Sequence, residues 1–251
     1  MKLVQQTDTA FWEQFGDVFF NDEKWSRAGV EALKLSQLMG LTAGSRILDL
    51  CCGAGRHSIE LSKLGFDVTG VDFSAHLLSE AGRRARKQGV EVELVQADAR
   101  DFRRRGAFAG VIMLGSAFGY FDDPAENRRI LLTAADCLMP SGVLFMKLVS
   151  KELVLRSYFR GENLGGPTMG GDKSNLRIRI RDNFERVEMC FGDSSSGAVP
   201  RQSFTHRLYS ATAMLEVLKD CGFGQISVFG DYDGGPYNED AVRLILVARR
   251  L

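Results

Sequence analysis

The chain has 251 residues, 45% of them hydrophobic, and its 32 basic residues balance 32 acidic residues. This neutral balance provides no general attraction for nucleic acid or for an anionic membrane, and no apolar run is long enough to span a bilayer. The composition suits a single domain over residues 1–251. Its five scattered cysteines have no disulfide or metal-ligand spacing, which predicts a cytoplasmic protein without a metal site.

Residues 1–41 form an aromatic segment with a helical pattern. Apolar residues recur at helical spacing in residues 7–20 and 26–41, and polar residues between them interrupt the pattern. Two interpretations are open: the aromatic residues anchor two helices to the core, or they form a helical lid over a ligand. These aromatic residues are Trp12, Phe15, Phe19, Phe20 and Trp25.

The sequence R-I-L-D-L-C-C-G-A-G-R-H-S at residues 46–58 predicts a strand, a glycine turn and a helix. The apolar run 46–51 is typical of a buried parallel strand, and an amphipathic pattern follows Gly53 and Gly55 as far as residue 66. Such a turn lets a ligand approach the backbone at a helix N-terminus. The pattern alone is equally compatible with an ordinary tight turn.

Two acids follow at the ends of predicted strands. Residues 66–72 predict a second strand ending in Asp72, roughly 20 residues after the glycine turn, which is the spacing at which a carboxylate meets ribose hydroxyls. Residues 75–88 predict a helix, and residues 90–97 predict a third strand that ends at Asp98.

The next predicted strands are residues 108–114 and 142–149, separated by a helix at 124–139 that begins with a proline. The loop after the fourth strand, residues 115–121, reads G-S-A-F-G-Y-F. Five strands with helices between most of them predict a parallel sheet with right-handed crossovers.

The pattern changes after residue 150. Three short alternating segments separated by turn-forming residues predict an antiparallel insertion within residues 150–209, which we call the cap. Ser210 precedes the last predicted helix, and two strands joined by a short loop then predict an antiparallel hairpin. The cap strands are predicted at residues 175–181, 185–191 and 201–209, and the hairpin strands at 225–230 and 241–249.

A series of five parallel strands followed by an antiparallel hairpin resembles the class I S-adenosylmethionine-dependent methyltransferases, from about residue 41 to the C-terminus. Asp49, Gly53 and Gly55 match the family's motif acid-x-Gly-x-Gly-x-Gly, in which Cys51 replaces the first glycine. The resemblance implies an α/β fold with a Rossmann-like seven-stranded sheet: five parallel strands plus the C-terminal antiparallel hairpin. It also implies S-adenosyl-L-methionine as cofactor and S-adenosyl-L-homocysteine as its product.

The resemblance further implies a set of cofactor-binding residues. Asp72 is expected to bind the ribose hydroxyls, and Asp98 and Ala99 are expected to bind the adenine through a side-chain acceptor and a backbone N–H. Leu114 begins the loop where the methyl group is delivered, and His57 is expected to have a structural or cofactor-positioning role. The cofactor-binding set is Asp49, Cys51, Gly53, Gly55, Asp72, Phe73, Asp98, Ala99 and Leu114.

Within the superfamily, the segments C-G-A-G-R-H, S-A-F-G-Y-F, H-R-L-Y-S and G-D-Y-D-G-G-P-Y are similar to enzymes that N- or O-methylate amino sugars and other natural products. The loop after the fourth strand lacks the Asn/Asp-Pro-Pro-Tyr of the adenine- and glutamine-methylating members. The resemblance therefore implies a small-molecule acceptor, with no nucleic-acid or membrane partner, while a homo-oligomer stays open.

Three alternatives to a small-molecule methyltransferase are weighed. One is a methyltransferase that acts on a macromolecule, and another is a cofactor-binding regulatory or assembly protein without transferase activity. The third is a nicotinamide dehydrogenase, which the antiparallel hairpin argues against because the dehydrogenase sheet is all parallel.

Aromatic and polar residues near the methyl-delivery loop are the candidates for acceptor binding. Aromatic side chains exclude water and offer π faces to a cation, although packing in the core is an alternative role for them. A hydroxyl acceptor would benefit from a general base, for which His206 is the candidate. Tyr120 and His206 are the catalytic candidates. The substrate-binding candidates are Phe118, Tyr120, Phe121, Arg156, His206 and Tyr232.

The cap is expected to cover the methyl end of the cofactor. It leaves the sheet at the carboxyl edge of the fifth strand, and ligands bind at that edge in open α/β sheets. Strand alternation predicts that Leu176, Ile178 and Ile180 face the body of the protein while the arginines between them point away. Cap arginines are either solvated, contact another subunit, or select an anionic acceptor; the candidates for this last role are Arg156, Arg160, Arg177 and Arg201.

Overall fold

The computed structural model describes residues 2–3, 10–13, 19–115, 117–161, 177–191 and 202–251. Several sequence predictions fall outside these ranges. They concern Phe15 and much of the first predicted helix, most of the glycine-rich part of the cap, Leu176 and Arg201. The side chain of Arg177 is also outside the described part of the structure.

The described residues form two β-sheets with helices around them. The strands are β1 Lys2–Leu3, β2 Arg46–Leu50, β3 Asp67–Asp72, β4 Glu93–Gln96, β5 Phe108–Met113, β6 Leu138–Leu148, β7 Arg177–Arg181, β8 Arg186–Phe191, β9 Gln202–Arg207, β10 Phe223–Phe229 and β11 Leu244–Arg250. The helices are α1 Asp22–Met39, α2 Arg56–Lys63, α3 Ala75–Lys87, α4 Pro124–Cys137, α5 Lys151–Phe159 and α6 Ala211–Asp220. Residues 10–13 are also helical, and Asp182–Phe184 form a 3₁₀ turn.

The larger sheet has seven strands in the order β10–β11–β6–β5–β2–β3–β4. Strands β4, β3, β2, β5 and β6 run parallel, whereas β11 is antiparallel to both β6 and β10. This arrangement confirms the predicted α/β fold of five parallel strands with a C-terminal antiparallel hairpin. The carboxyl ends of the five parallel strands therefore meet at one edge of the sheet.

Apolar helix faces cover both sides of the larger sheet. On one side, Leu35 of α1 and Leu61 of α2 belong to a buried cluster with residues of β2, β5 and β6. On the other side, Leu131 of α4 and Leu218 of α6 belong to a second buried cluster. Each fully buried leucine contributes about 1.5–3 kcal/mol relative to an exposed one, so the two faces together hold the strand ends in place.

Helix ends follow the capping rules that the sequence suggests. The side chain of Asn21 accepts a hydrogen bond from the Lys24 backbone N–H at 3.1 Å at the start of α1, and Gly40 ends this helix at a φ of 65°. Asp123 caps α4, whose first residue is Pro124. None of the helices in the described part of the chain has the length and apolar character needed to cross a membrane.

The sequence pattern did not predict α5. Ser150 begins this helix directly after β6 by accepting a hydrogen bond from the Leu153 backbone N–H at 3.2 Å. Among the nine residues of α5, Val154 alone is buried. A helix with so little buried surface carries no strong apolar periodicity, and its N-cap is the main signal for it.

The smaller sheet, which we call the cap sheet, has the order β1–β9–β8–β7. Strand β8 is antiparallel to both β7 and β9, as predicted for the cap. The sequence did not predict β1, which pairs in parallel with β9 so that Lys2 lies opposite Gln202. A two-residue strand has no detectable alternation, so its pairing is visible only in three dimensions.

Side chains of β7 alternate between two environments, as predicted. Ile178 and Ile180 pack against buried apolar clusters of the cap and the N-terminal segment. Arg179 and Arg181 are exposed, and Arg181 donates a hydrogen bond to the buried carboxylate of Glu188 at 2.9 Å.

Candidate active site

Asp72 ends β3 beside the glycine turn. Its Oδ2 accepts a hydrogen bond from the Gly53 backbone N–H at 2.9 Å, and its Oδ1 accepts one from the Ser74 backbone N–H at 3.0 Å. Burial raises the pKa of Asp72, and these two backbone donors oppose that rise. The carboxylate is thus fixed in orientation and can accept further hydrogen bonds from hydroxyl groups of a ligand.

Every second residue of the glycine turn is left-handed, with φ values of 65° at Cys51, 57° at Gly53 and 75° at Gly55. A Cβ at Gly53 would overlap the ring of Phe20, and a Cβ at Gly55 would lie 2.9 Å from the Cβ of Ala81. The two glycines therefore allow an aromatic residue and α3 to approach the turn. Cys51 occupies a conformation that costs a non-glycine residue about 1–2 kcal/mol, which explains why a glycine is usual in this motif position.

Asp49, within β2, connects this strand to the helix that follows the glycine turn. The Ser58 hydroxyl donates a hydrogen bond to its Oδ2 at 2.6 Å, and burial raises the pKa of Asp49 to about 6. This contact ties the first turn of α2 to the strand before it. The short apolar strand, the two glycines and the helix therefore form one rigid unit.

Asp98, after β4, is held in an ion-pair network. Arg100 contacts Oδ2 of Asp98 at 2.6 Å and also pairs with Glu126, and its guanidinium carbon lies 4.3 Å from the ring centroid of Phe121. Hydrogen bonding to Arg100 lowers the pKa of Asp98, so the carboxylate is ionised at neutral pH. The network connects the end of β4 to the loop after β5.

That loop is shaped by Asn127, a fully buried residue of α4. Its Oδ1 accepts hydrogen bonds from the backbone N–H groups of Gly119 and Phe121, both at 3.2 Å, and its Nδ2 donates to the Phe121 carbonyl at 2.7 Å. The Gly119 carbonyl also accepts a hydrogen bond from the Arg207 backbone N–H at 2.7 Å. These contacts attach the loop to the cap and fix the position of Tyr120.

Tyr120 and His206 face each other across the junction between the loop and β9. Their ring centroids are 5.1 Å apart at an interplanar angle of 87°. Burial raises the pKa of Tyr120 well above its ordinary value, so its hydroxyl is protonated and can donate a hydrogen bond.

A cluster of charged side chains lies on the opposite side of the turn. Oε2 of the buried Glu31, in α1, is 3.1 Å from Nη1 of Arg56 and 2.9 Å from Nε2 of His57. Burial lowers the pKa of His57 to about 3, so the neutral ring donates its Nε2–H to Glu31. Arg56 also donates to the Lys24 backbone carbonyl at 3.1 Å. Helix α1 is thereby bound to the first turn of α2.

Two lysines extend this cluster into the cavity. Burial lowers the pKa of Lys24 to about 8 and that of Lys147, in β6, to about 8, and the positive charge of Arg56 adds to both shifts. Both ammonium groups are cationic at neutral pH. This side of the cavity therefore carries more positive charge than the single carboxylate of Glu31 balances.

The glycine turn, the loops after β4 and β5, the start of α1 and the cap line one cavity of about 220 Å³. It lies at the carboxyl edge of the parallel strands. Cap residues Val187, Met189 and Leu208 lie over it. Most of its wall is apolar or aromatic, which suits the exclusion of water from a bound ligand. The aromatic residues of the wall are Trp12, Phe19, Phe20, Phe73, Tyr120 and Phe121.

Most residues predicted from the sequence lie together at this cavity. Of the cofactor-binding set, Gly55 alone is absent from the lining, because it lies behind the turn against α3. The predicted residues that line the cavity are Asp49, Cys51, Gly53, Asp72, Phe73, Asp98, Ala99, Leu114, Tyr120, Phe121 and His206.

Three substrate candidates lie away from the cavity. Phe118 is fully buried in the core beneath α4, with its ring 5.0 Å from that of Tyr209. Tyr232 packs in the core with its ring 6.0 Å from that of Phe145. Arg156 instead donates hydrogen bonds to backbone carbonyls of the terminal hairpin loop, including that of Ala241 at 2.6 Å. Motif position in the sequence did not reveal which way these side chains point.

Several residues of the site belong to no recognisable sequence motif. Lys147 is the one basic residue of an apolar strand, and such an interruption on a buried face is the signal that could have found it. Asn127 likewise interrupts the buried face of α4. Lys24 stands among charged residues at the start of α1 and has no such signal. Arg56 begins the helix predicted after the glycine turn. Its ion pair is with Glu31, 25 residues away in sequence, so the local pattern does not predict this contact.

Comparison with known proteins identifies the chemistry of this site. A sequence model described as "Methyltransferase domain" matches residues 47–142. The chain is 28% identical over 268 residues to a glycine/sarcosine N-methyltransferase of Halorhodospira halochloris, covering 98% of this chain and 92% of that protein.

Solved structures show the same fold. An S-adenosylmethionine-dependent methyltransferase from Clostridium acetobutylicum matches with a TM-score of 0.71 and 17% identity, covering 96% of this chain and 98% of that chain. CalS10, an amino pentose methyltransferase from Micromonospora echinaspora solved with S-adenosylmethionine bound, matches with a TM-score of 0.62 and 18% identity over 100% of this chain and 99% of that chain.

The chain thus has the fold of the class I methyltransferases. More particularly, the chain is an S-adenosylmethionine-dependent methyltransferase, and residues 47–142 match the methyltransferase domain model. The residues present fit this cofactor: Asp72 presents a fixed carboxylate acceptor at the cavity, and apolar and aromatic side chains form most of the cavity wall. The predicted fold, cofactor and enzyme class are confirmed. The individual residue roles stay predictions.

Proposed function

We propose that this enzyme transfers a methyl group to the nitrogen of a small amine. The observation that carries the proposal is the aromatic wall of the cavity, which the cap covers. An amine gains positive charge as it is methylated, and aromatic faces stabilise a cation that is shielded from water. The glycine/sarcosine N-methyltransferase that resembles this chain is named for amine acceptors, which supports the same choice.

The chain's own residues are assigned to binding and orientation. Asp72 would accept hydrogen bonds from ribose hydroxyls, and Asp98 and Ala99 would bind the adenine. When bound, S-adenosylmethionine supplies a methyl group whose bond to sulfur breaks, leaving the electron pair on sulfur, as the acceptor nitrogen's lone pair forms the new N–C bond. Tyr120 and His206 line the cavity together. The protonated Tyr120 hydroxyl would orient the acceptor, and His206 would receive the proton of the acceptor nitrogen.

A small free molecule is the proposed acceptor, in preference to a nucleic acid or a membrane component. Cap residues Val187, Met189 and Leu208 line the cavity together with residues of the larger sheet, which favours an acceptor small enough to be enclosed between them. The formal net charge of +0 supplies no attraction for a polyanion. We also propose that the enzyme acts in the cytoplasm and that it takes part in the biosynthesis of a natural product.

The test has two measurements. Calorimetry with S-adenosylhomocysteine should show saturable binding to the purified protein. A panel of small primary and secondary amines, including glycine, sarcosine and amino sugars, should then be incubated with S-adenosylmethionine and screened by mass spectrometry for the gain of one methyl group. Methylation of hydroxyl compounds but of no amine would overturn the proposal.

A further inference from the structure

Lys147 lies near the C-terminal end of β6 and lines the cavity. Within the described ranges, Lys147 has no hydrogen-bond partner. The positive charges of Arg56, Arg243 and Lys24 lower its pKa, and the Glu31 carboxylate raises it. That carboxylate already accepts hydrogen bonds from Arg56 and His57. Lys147 is therefore a half-buried cation without a dedicated counterion.

An uncompensated cation in a mostly apolar cavity is costly, and it is retained most readily where a ligand brings the opposite charge. Three cations, Lys24, Arg56 and Lys147, line this cavity, and Arg56 is paired with the carboxylate of Glu31. The carboxylates that also line the cavity have other partners: Ser58 for Asp49, backbone N–H groups for Asp72 and Arg100 for Asp98. The cofactor brings one carboxylate together with an ammonium group of its own. A single carboxylate does not balance both free lysines.

The two lysines stand on different elements of the site. Lys24 is in the first turn of α1, and its backbone carbonyl accepts a hydrogen bond from Arg56, which follows the glycine turn directly. Lys147 is two residues before Val149, which packs with Val187 and Leu208 of the cap. Both lysines act on the same Glu31–Arg56 cluster, but Lys24 belongs to the helix attached to the glycine turn, whereas Lys147 belongs to the strand that leads to the cap.

We propose that Lys147 determines acceptor specificity by binding a carboxylate of the methyl acceptor. This inference rests on the proposed amine methylation and narrows the acceptor to a compound that carries both an amine and a carboxylate, such as an amino acid or an amino acid derivative. Lys24 is then the lysine that serves the cofactor carboxylate. The cap arginines named from the sequence are not needed for this role.

The first arm of the test measures cofactor binding and needs no acceptor. Calorimetry with S-adenosylhomocysteine should give a Kd within about twofold of wild type for Lys147→Met, and a clearly weaker Kd for Lys24→Met. Lys219→Met, which removes an exposed lysine of α6, is the control for loss of one positive charge. An equal loss of cofactor affinity in Lys147→Met and Lys24→Met would overturn the inference, because Lys147 would then serve the cofactor.

The second arm compares acceptors that differ only in charge: glycine with glycinamide, and sarcosine with sarcosinamide. Wild type should prefer the carboxylate of each pair. Lys147→Met should raise the KM for the carboxylate by about tenfold to a hundredfold, as expected for one hydrogen bond to a charged group, and leave the amide unchanged. Lys147→Arg, which keeps the charge, should restore part of the preference.

The outcomes separate the two proposals. If amides and carboxylates are methylated equally well, or if Lys147→Met keeps the preference, the acceptor-carboxylate role is wrong while amine methylation stands. If S-adenosylhomocysteine binds but no amine of either charge gains a methyl group, the proposed function itself is wrong and the inference is overturned with it.

Discussion

A substitution at Asp72 is the most direct test of cofactor binding. Its carboxylate is fixed by two backbone N–H groups and lines the cavity. Replacing Asp72 by alanine should weaken S-adenosylhomocysteine binding by at least about tenfold, since each hydrogen bond to a charged group contributes about 1.5–3 kcal/mol.

The measurement is calorimetry, with Asp67→Ala as the matched control. Asp67 begins the same strand, is exposed, and pairs with Arg46 at 3.4 Å. An exposed pair of this kind contributes about 0–1 kcal/mol to stability and should not affect cofactor affinity. Equal affinity in the wild type and Asp72→Ala would remove Asp72 from the cofactor site.

A substitution at a second single residue, Tyr232, tests the stability of the folded protein. Its hydroxyl is buried and has no hydrogen-bond partner among the described residues, while its ring stacks on Phe145. Tyr232→Phe removes an unsatisfied polar group and should raise the free energy of unfolding by about 1 kcal/mol. Activity should not change, because the residue lies away from the cavity.

Tyr237→Phe is the control, because the Tyr237 hydroxyl contacts Ser150 Oγ at 2.6 Å and Glu152 at 3.2 Å. Urea denaturation should show this variant to be less stable than wild type. A loss of acceptor turnover in Tyr232→Phe at full stability would instead support the substrate role that the sequence suggested for Tyr232.

Sequence alone found the residues whose function depends on the backbone at strand ends. Asp72 and Gly53 could be predicted because strand length, glycine position and spacing fix where a parallel strand delivers its last side chain. Lys147 and Arg156 could not, because their roles depend on which side chains they meet across the fold. A motif specifies a backbone position more closely than it specifies the direction of a long, flexible side chain.

At the scale of elements, Glu31 connects α1 to the start of α2. Burial alone would raise its pKa, but the hydrogen bond from His57 and the charges of Lys147 and Arg56 outweigh burial and lower it to about 2. Glu31→Gln leaves Arg56 buried without its counterion. We expect a loss of about 3–5 kcal/mol in the free energy of unfolding near pH 7, as for other broken buried ion pairs.

The pH dependence of this difference has a definite sign. A carboxyl group whose pKa is lowered by folding stabilises the protein fully above its unfolded pKa, here near 4.5, and loses this contribution as the pH falls toward about 2. The stability difference between wild type and Glu31→Gln should therefore be constant from pH 7 to about 5 and shrink below that.

Urea denaturation at several pH values provides the measurement. The control is Glu23→Gln, in the first turn of the same helix, where the exposed side chain pairs with Arg27. That change should cost less than about 1 kcal/mol. A Glu31→Gln variant as stable as Glu23→Gln would show that the buried contacts do not hold α1 in place.

Elements that pack against the larger sheet and the three antiparallel strands of the cap were predicted well, whereas α5 and β1 were not. Helix α4 has an N-cap, a first-position proline and a buried face, which all agree in the sequence. Helix α5 has one buried residue, and β1 has two residues paired with a strand 200 positions later. Local patterns identify an element when it has a repeating buried face, and these two do not.

At the scale of the whole molecule, the two sheets differ in how strongly they are packed. Strands β2, β5 and β6 contribute fully buried residues to two large apolar clusters that flank the larger sheet. The cap sheet and N-terminal segment contribute to two smaller clusters, one around Phe11, Met189 and Phe204 and the other around Val187 and Leu208. We propose that residues 1–251 form one domain in which the cap opens locally.

Backbone hydrogen exchange tests this proposal. Segments with few buried apolar contacts open at lower free energy, so amides of β8 and β9 should exchange faster than those of β2 and β5 in the free protein. Binding of S-adenosylhomocysteine should slow exchange in β8 and β9, because Met189 and His206 of the cap line the same cavity as Asp72. The hairpin strands β10 and β11, at the far edge of the larger sheet, serve as the internal control and should not change. Cap amides that exchange as slowly as those of β2 without ligand, or that do not respond to ligand, would contradict local opening. The cavity would then have to admit its ligands by another route.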